Sequence, residues 1–395
     1  MSEQRFHVIG MTDDQICTFP TEILQLIGRG KVFSGGKRHH EIVASLLPED
    51  AVWIDITVPL DKVFSQYEVY DEIIVFASGD PLFFGFANTL KKRLPNAWMR
   101  VYPVFNSLQI LAHRILLPYH DMRTISLTGR PWRTLDEALI RGEKLIGALT
   151  DREKTPSRIA ARMLEYGYDN YRMTIGVHLG NKQAEEVHTL SLNEVIGRNF
   201  GFPNCVILER VYQRERLFGI PESSFHLLNG REKMITKSPI RLQALSMLDL
   251  HQKQTFWDIG FCTGSVSIEA KLQFPHLHVH AFECREEGEE LMRQNSRQFG
   301  VPGIETHIGD FMELDVSNLP SPDAVFIGGH GGKLKEMLQK IDQYLLPGGC
   351  IVFNSVSENS LKLFREGIEA IGRRIDNEIG ITVESYNSIT IIKAI

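Results

Sequence analysis

The amino-acid sequence predicts an α/β protein made of two units, and three observations support this. From residue 5 to about 210, short apolar runs alternate with helical patterns, which indicates strands and helices layered around a largely parallel sheet. A charged stretch at 210–216, followed by Gly219-Ile220-Pro221, interrupts this alternation, and the alternation then starts again. The 395 residues also exceed one ordinary domain of roughly 100–200 residues. We therefore expect two separate cores.

In the first half of the chain, short runs rich in β-branched and aromatic residues predict strands. These runs lie at 6–10, 31–34, 52–56, 72–77, 98–102, 145–149, 173–179 and 205–209. Apolar residues at helical spacing predict helices at 22–28, 38–47, 83–94, 107–116 and 157–166. A break that begins at Leu117-Pro118-Tyr119 predicts two lobes dividing near 118–122. We expect this domain to span 1–213.

The second half predicts a further α/β domain at 226–395, after a linker at 214–225. Helices are expected at 239–248, 265–274, 286–299 and 333–345, and strands at 255–258, 277–283, 304–308, 324–327 and 350–354. The final β-rich runs, 374–383 and 388–393, predict an antiparallel hairpin at the edge of the sheet.

Charge and cysteine usage exclude several classes of protein. The chain has 43 Lys and Arg against 49 Asp and Glu, a net charge of −6, so no chain-wide basic field attracts nucleic acid or an anionic membrane. The five cysteines are Cys17, Cys205, Cys262, Cys284 and Cys350, and they form neither a Cys-x-x-Cys pair nor a disulfide framework. The N-terminus lacks a signal-peptide pattern, and no apolar run reaches the ~18 residues of a membrane helix. We expect a soluble, cytoplasmic protein.

Three histidines raise the question of a metal site. His276, His278 and His280 alternate along one predicted strand, so they share one of its faces. No carboxylate or fourth ligand accompanies them at a suitable spacing in the sequence. We therefore expect no metal ion.

The segment from Asp258 to Ser265 combines a strand end, a glycine-bearing turn and the start of a helix. Glycine lets backbone N–H groups approach a ligand closely, and the helix N-terminus adds a partial positive charge. Glu283 closes the next strand about 20 residues later, where a carboxylate can accept hydrogen bonds from both ribose hydroxyls. Asp310 follows the third strand and can face an adenine.

This arrangement resembles the seven-stranded, Rossmann-like methyltransferases that use S-adenosyl-L-methionine. The resemblance implies cofactor contacts by Asp258, Gly260, Thr263, Gly264, Glu283 and Asp310. A dinucleotide-dependent dehydrogenase is the alternative, but the turn lacks the full G-x-G-x-x-G spacing. One position departs from the family: its middle glycine is Cys262 here.

A different loop, Ser78-Gly79-Asp80-Pro81, follows a strand in the first half. Together with segments at 6–10, 35–40, 106–109, 127–130 and 150–160, it resembles the two-lobed tetrapyrrole methylases, which hold S-adenosyl-L-methionine between their lobes. The first loop departs from the family pattern and reads Met11-Thr12-Asp13-Asp14. The resemblance implies that the cofactor's neighbours are Gly79, Asp80, Pro81, Phe83 and Ser107. Lys37 and Arg38 either hold substrate carboxylates or form a solvated helix start.

The combination of two methyltransferase folds in one chain is the most specific feature. The segments 234–241 and 328–332 resemble the enzymes that methylate carbon 15 of a corrin precursor and decarboxylate an acetate side chain. The resemblance implies a bifunctional enzyme of cobalamin biosynthesis that methylates carbons 5 and 15. It places Thr236 at the cofactor and His330 in catalysis, although His330 is alternatively an exposed loop residue. It also implies that the substrate is bound by Lys237, Arg241, Gly328 and Gly329.

Several alternatives stay open at this point. The N-terminal half is either a second catalytic domain or a scaffold that binds the tetrapyrrole. Another tetrapyrrole, a protein or RNA is an alternative methyl acceptor, and the macrocycle is either metal-free or loaded with cobalt. The resemblance also implies a homo-oligomer.

Overall fold

The computed structural model describes residues 4–14, 18–231, 233–383 and 388–395, so Cys17 lies outside the described residues. The chain divides into two compact units. The first comprises Met1–Arg130, Lys144–Ala161 and Tyr171–Val211, and the second comprises Pro131–Glu143, Arg162–Asn170 and Tyr212–Ile395. Both are mixtures of helices and strands, and the expected α/β fold class is confirmed.

The first unit begins with a parallel five-stranded sheet in the order β3-β2-β4-β1-β5. Its strands are β1 Arg5–Met11, β2 Val32–Gly35, β3 Val52–Asp55, β4 Glu72–Ser78 and β5 Trp98–Tyr102. The accompanying helices are α1 Thr21–Arg29, α2 Lys37–Val43, α3 Asp61–Tyr67, α4 Phe86–Arg93 and α5 Ser107–Arg114.

A second five-stranded sheet of mixed direction has the order β6-β7-β10-β8-β9. Its strands are β6 Arg123–Ser126, β7 Leu145–Leu149, β8 Tyr171–Val177, β9 Glu186–Ser191 and β10 Asn204–Arg210. Strand β10 runs antiparallel to both β7 and β8. Helices α6 Arg133–Arg141, α7 Pro156–Glu165 and α8 Leu192–Val195 lie in this part of the chain.

The second unit contains a seven-stranded sheet in the order β13-β12-β11-β14-β15-β17-β16. Its strands are β11 Thr255–Ile259, β12 His278–Glu283, β13 Ile304–Ile308, β14 Ala324–Ile327, β15 Cys350–Ser355, β16 Ile375–Ile381 and β17 Ile389–Ala394. Its helices are α9 Ser238–Leu248, α10 Ser265–Gln273, α11 Glu287–Phe299, α12 Leu334–Tyr344 and α13 Glu358–Ala370. Strands β16 and β17 are antiparallel, which confirms the predicted hairpin. The strand order reverses between β11 and β14, where open α/β sheets bind ligands.

Both faces of this sheet are buried. Trp257 and Phe282 pack on one face, whereas Phe256 of β11 and Val279 of β12 pack on the other. Burial on both faces explains why the central strands are continuous apolar runs and not alternating ones. Among the described residues, none of the helices has the length and hydrophobicity required to span a bilayer.

Helix α4 begins later than the pattern predicts. Residues 83–85, predicted as helix, form a turn in which Phe84 has a φ of 54°. A Cβ at Gly85 would lie 2.5 Å from the carbonyl oxygen of Pro81, so this close backbone contact needs glycine. The helix therefore starts at Phe86.

Candidate active site

A cavity of about 670 Å³ lies in the second unit, at the carboxyl ends of β11, β12, β13 and β14. Of the residues expected at this site, eight line it: Thr236, Lys237, Gly260, Glu283, Asp310, Gly328, Gly329 and His330. Because neighbouring parallel strands end at the same edge, residues separated by about 90 positions in the sequence meet here.

The turn after β11 forms one wall, and Gly260 is essential to its shape. Gly260 has a φ of +77°, and a Cβ there would lie 2.7 Å from the backbone nitrogen of Gly329. The backbones of the two loops are therefore in contact, which a larger residue prevents. Cys262 also has a positive φ, of 50°, and its Sγ donates to the carbonyl oxygen of Met234 at 3.1 Å. The cysteine thus replaces the family's glycine and links the turn to the segment before α9.

Glu283 ends β12 with its carboxylate held by hydrogen bonds. Its Oε2 accepts from the backbone N–H of Cys262 at 2.9 Å, and its Oε1 accepts from the backbone and guanidinium of Arg285 at 3.1 and 2.9 Å. The side chain is only 2% exposed. Cys284 Sγ also donates to Oε1 at 3.3 Å. Because Oε2 accepts only one hydrogen bond from the described residues, it retains an acceptor position for a ligand hydroxyl.

Asp310 and Lys333 also line the cavity, where they form an ion pair. Asp310 Oδ2 accepts from Lys333 Nζ at 2.7 Å and its Oδ1 accepts from the backbone N–H of Met312 at 2.9 Å. The hydrogen bond from Lys333 lowers the pKa of Asp310 below its ordinary value. The side chain is therefore an ionised hydrogen-bond acceptor.

His330 lies in the glycine-rich loop after β14. Its Nδ1 accepts from the backbone N–H of Gly332 at 3.2 Å, and its ring meets Phe353 edge-on at 5.9 Å. Partial burial lowers the pKa of His330 below its ordinary value. With Nδ1 accepting, the neutral ring carries its proton on Nε2, which makes Nε2 a hydrogen-bond donor.

The cavity is positively charged overall. Four cationic side chains line it, Lys233, Lys237, Arg285 and Lys333, against the two carboxylates of Glu283 and Asp310. This excess of two positive charges occurs in a chain whose net charge is −6. The site is therefore suited to an anionic ligand.

Three residues expected to contact a cofactor belong to β11 or to the turn after it and do not line the cavity: Asp258, Thr263 and Gly264. Asp258 is fully buried, and its Oδ2 accepts from the hydroxyl and backbone N–H of Ser267 at 2.6 and 3.1 Å. A Cβ at Gly264 would lie 2.5 Å from the sulfur of Met292. These residues shape the turn and the start of α10, and their contact with a cofactor stays a prediction.

The buried Asp258 predicts a pH-dependent stability. Burial raises its pKa from 3.8 to about 7, so the folded state holds this proton more tightly than the unfolded state. The resulting stabilisation is complete below about pH 4 and is lost as the pH rises to about 7. As the pH rises across this window, the free energy of unfolding of the wild type, measured by chemical denaturation, should fall by a few kcal/mol relative to that of Asp258→Asn. Asp121→Asn, at an 85% exposed side chain, is the control and should parallel the wild type. Parallel curves for wild type and Asp258→Asn would contradict the prediction.

Arg241 was expected to hold a substrate carboxylate, and its environment does not support that role. The side chain is fully buried and does not line the cavity. Its Nε donates to Glu269 at 3.1 Å and its Nη1 to the carbonyl oxygen of Thr236 at 2.9 Å, and Nη2 donates to that of Ile220. Glu269 in turn accepts from the backbone N–H groups of Gly219 and Ile220. Arg241 is thus a structural residue that holds Thr236 in the cavity wall.

In the first unit, the expected cofactor neighbours lie around the end of β4. Gly79 has a φ of +62°, and its carbonyl oxygen would lie 2.2 Å from a Cβ at Gly10. Asp80 Oδ1 accepts from the backbone N–H of Leu82, and Pro81 is buried in the same turn. Phe83 packs, partly buried, against the core cluster that includes Leu108, and Ser107 begins α5.

Lys37 and Arg38 begin α2 near this turn. Arg38 forms an ion pair with Asp13, and its Nη2 donates to Ser78 Oγ at 3.3 Å. Asp13 also contacts His178 Nδ1 at 2.9 Å. The loop that departs from the family pattern therefore supplies a carboxylate to which Arg38 binds in this structure. Lys37 is exposed.

Three charged residues of the cavity were not predicted from the sequence: Lys233, Arg285 and Lys333. Arg285 was detectable, because it follows Glu283 by two residues and the chain turns at the strand end. Lys333 directly follows the Gly331-Gly332 pair of a loop already singled out. Its pairing with Asp310, 23 residues away, required the three-dimensional structure.

The reversal of strand order, the glycine turn and the carboxylate at the end of β12 define a Rossmann-like methyltransferase unit. A family model described as "Precorrin methyltransferase domain" matches residues 229–387. Cobalt-precorrin-6B C(15)-methyltransferase (decarboxylating) of Salmonella typhimurium is 37% identical over 134 residues, which covers 34% of this chain and 68% of that protein. The chain belongs, through this unit, to the family of precorrin C(15)-methyltransferases (decarboxylating).

Similarity extends over both halves of the chain. Precorrin-6Y C(5,15)-methyltransferase (decarboxylating) from a Sinorhizobium species is 29% identical over 355 residues, which covers 89% of this chain and 84% of that protein. A solved structure of precorrin-6Y C5,15-methyltransferase from Geobacter metallireducens is 32% identical and covers 46% of this chain and 98% of that chain, with a TM-score of 0.42. The expected fusion of two methyltransferase domains agrees with the length of the Sinorhizobium match.

Proposed function

We propose that the chain is a bifunctional methyltransferase of cobalamin biosynthesis that uses S-adenosyl-L-methionine. Its substrate is precorrin-6Y or the cobalt form, which it methylates at carbons 5 and 15 while it decarboxylates an acetate side chain. The observation that carries the proposal is the cavity in the second unit, where Gly260, Glu283 and the Gly328-Gly329 loop meet. We assign carbon 15 and the decarboxylation to this unit and carbon 5 to the first unit.

The cavity residues fit the cofactor. The glycine turn allows close backbone approach, Glu283 is an acceptor for ribose hydroxyls, and Phe311 and Met312 give an apolar surface beside the acceptor Asp310. When bound, the cofactor supplies an electrophilic methyl group. In the first unit, the corresponding proposal rests on Gly79, Asp80, Pro81, Phe83 and Ser107.

The lining also suits a flat, polycarboxylated macrocycle. Gly328 and Gly329 have no side chains and are exposed, so a planar ring can approach their backbone. Lys237 and Lys233 supply cations for its carboxylates. Positioning of the reacting carbon against the methyl donor can lower the barrier by about 7–11 kcal/mol in ideal cases, so few acids and bases are needed.

The test is to incubate the full chain with metal-free or cobalt-loaded substrate and isotope-labelled cofactor. We expect a gain of two methyl groups and the loss of one carbon dioxide, measured by mass spectrometry. Gly260→Ala should leave only the carbon-5 methyl group, because it changes the second unit alone. If the first unit is a scaffold, this variant incorporates no methyl group. No incorporation by the wild type on either substrate would overturn the proposal.

His330 is proposed to donate a hydrogen bond or proton from Nε2 to the reacting substrate. His330→Ala should slow methylation and decarboxylation in the second unit by about 100-fold, the lower end of the range for a general acid or base. His251→Ala, at an exposed histidine outside the cavity, is the matched control. Unchanged single-turnover rates for His330→Ala would assign His330 to the loop structure only.

A further inference from the structure

A cluster of potential metal ligands lies on the two outer strands, β12 and β13, of the seven-stranded sheet. The strands are parallel neighbours in which His280 pairs with Glu305 and Phe282 pairs with His307. His280 Nδ1 lies 3.1 Å from His307 Nε2 and 3.6 Å from Glu305 Oε2. One ligand atom from each of these three residues lies within 4.8 Å of the other two.

We propose that His280, Glu305 and His307 form a binding site for a divalent transition-metal ion of the zinc type. Two imidazoles and one carboxylate are a ligand set that Zn²⁺ accepts, with a water molecule as the fourth ligand. Bonds of about 2.1 Å in a tetrahedral arrangement place neighbouring ligand atoms about 3.4 Å apart. The observed separations of 3.1 and 3.6 Å bracket this value.

The ring of His280 is placed so that one nitrogen faces the other two ligands. His280 Nδ1 faces His307 Nε2 and Glu305 Oε2, and among the described residues His280 Nε2 has no hydrogen-bond partner. Metal ions bind a neutral imidazole through the ring nitrogen that carries no proton.

The other histidines of strand β12 and its approach are engaged elsewhere. His276 Nε2 donates to the carbonyl oxygen of Lys253 at 3.0 Å, and His278 Nε2 accepts from Arg133. The expectation of no metal ion considered only these alternating residues of one strand. The missing ligands come from the neighbouring strand, where Glu305 and His307 are themselves two residues apart.

The cluster lies where an ion can enter from solvent and can link two strands of the sheet. Glu305 is 63% exposed, so a hydrated ion can reach the site from solvent, whereas His280 is 2% exposed. Strand β13 is at the edge of the sheet, held by β12 on one side. A bound ion would add a second link between these strands, and His307 already stacks on Phe282 of the cavity wall at 4.9 Å. A bound ion would therefore stabilise strand β13, which is followed directly by the Gly309-Asp310 loop.

The test is a calorimetric titration of the untagged, chelator-treated full chain with Zn²⁺. We expect one ion to bind per chain, with no comparable binding of Mg²⁺, and Co²⁺ to give visible absorption of a tetrahedral site. Changes even in outer-shell partners of metal sites cost about 10–100-fold in affinity, so removal of a ligand should cost at least about tenfold. His307→Phe, which retains an aromatic ring against Phe282, and Glu305→Gln should each show this loss.

His188→Phe is the matched control. His188 contacts Glu186 at 2.9 Å and packs against Phe200, so it presents a similar histidine–carboxylate pair without the third ligand. This variant should bind Zn²⁺ like the wild type. Absence of saturable Zn²⁺ binding, or unchanged affinity in a folded His307→Phe variant, would overturn the proposal and leave the two histidines as a hydrogen-bonded pair. Circular dichroism verifies the fold of each variant.

Discussion

Gly260→Ala is expected to lower methyl transfer in the second unit by about 100-fold or more, because displacement of a positioning loop by about 1 Å can cost about 100-fold. The new Cβ would lie 2.7 Å from the nitrogen and 3.1 Å from the Cα of Gly329, both backbone atoms that no rotamer change can move. A left-handed backbone costs a non-glycine residue about 1–2 kcal/mol, and overpacking adds about 1–3 kcal/mol. The cofactor turn and the Gly328-Gly329 loop must therefore separate. Single-turnover methyl incorporation and calorimetry with S-adenosylhomocysteine measure the effect.

Gly372→Ala is the control that introduces the same backbone strain as Gly260→Ala without a contact like that to Gly329. Gly372 has a φ of +72°, close to that of Gly260, but apart from its chain neighbours no described residue would lie within 4 Å of the new methyl group. This variant should lose about 1–2 kcal/mol of stability and retain its rate of methyl transfer. An equal loss of activity in both variants would show that the contact with Gly329 is irrelevant.

Arg241→Met is expected to destabilise the second unit by about 3–5 kcal/mol, because it leaves the Glu269 carboxylate buried without its charged partner. Methionine retains most of the side-chain volume, so the effect reports charge and hydrogen bonds and not a cavity. The carbonyl oxygens of Thr236 and Ile220 also lose their donors. Denaturant unfolding, monitored by circular dichroism, provides the measurement.

Two further variants test whether the loss of stability in Arg241→Met comes from the unpaired charge of Glu269. Arg365→Met removes a surface partner of Glu378 and should cost less than about 1 kcal/mol. The double variant Arg241→Met/Glu269→Gln removes both charges and should recover part of the stability, because a neutral amide is cheaper to bury than an unpaired carboxylate. A double variant less stable than Arg241→Met would contradict the charge explanation.

Most of the fold follows from local sequence signals. The strands predicted at 98–102, 145–149, 304–308 and 324–327 have the observed bounds, because both faces are apolar or turn residues flank them. Strand β9 was missed, since its residues are largely exposed and polar at the sheet edge. Helix α13 was also missed, although its Ser357 cap and the spacing of Leu361, Phe364 and Ile368 indicate a helix.

The site residues that could be predicted are those whose role depends on local backbone geometry. Gly260 and Glu283 belong to a turn and a strand end whose geometry is local. Arg241 was misassigned because its sequence position near Thr236 does not reveal Glu269, which lies one helix later and neutralises it. Pairings across the sheet, such as that of His280 with Glu305 and His307, depend on strand order and cannot be read from spacing along one strand.

The charge of the cavity lining also has a kinetic consequence. Four cationic side chains and two carboxylates line the cavity, so the lining presents a local positive potential on a molecule whose net charge is −6. Such a potential guides an anion during diffusion and is screened within about 8 Å at physiological ionic strength. Capture of an anionic ligand is therefore fastest in dilute salt, and added salt slows its arrival before it weakens the final contacts.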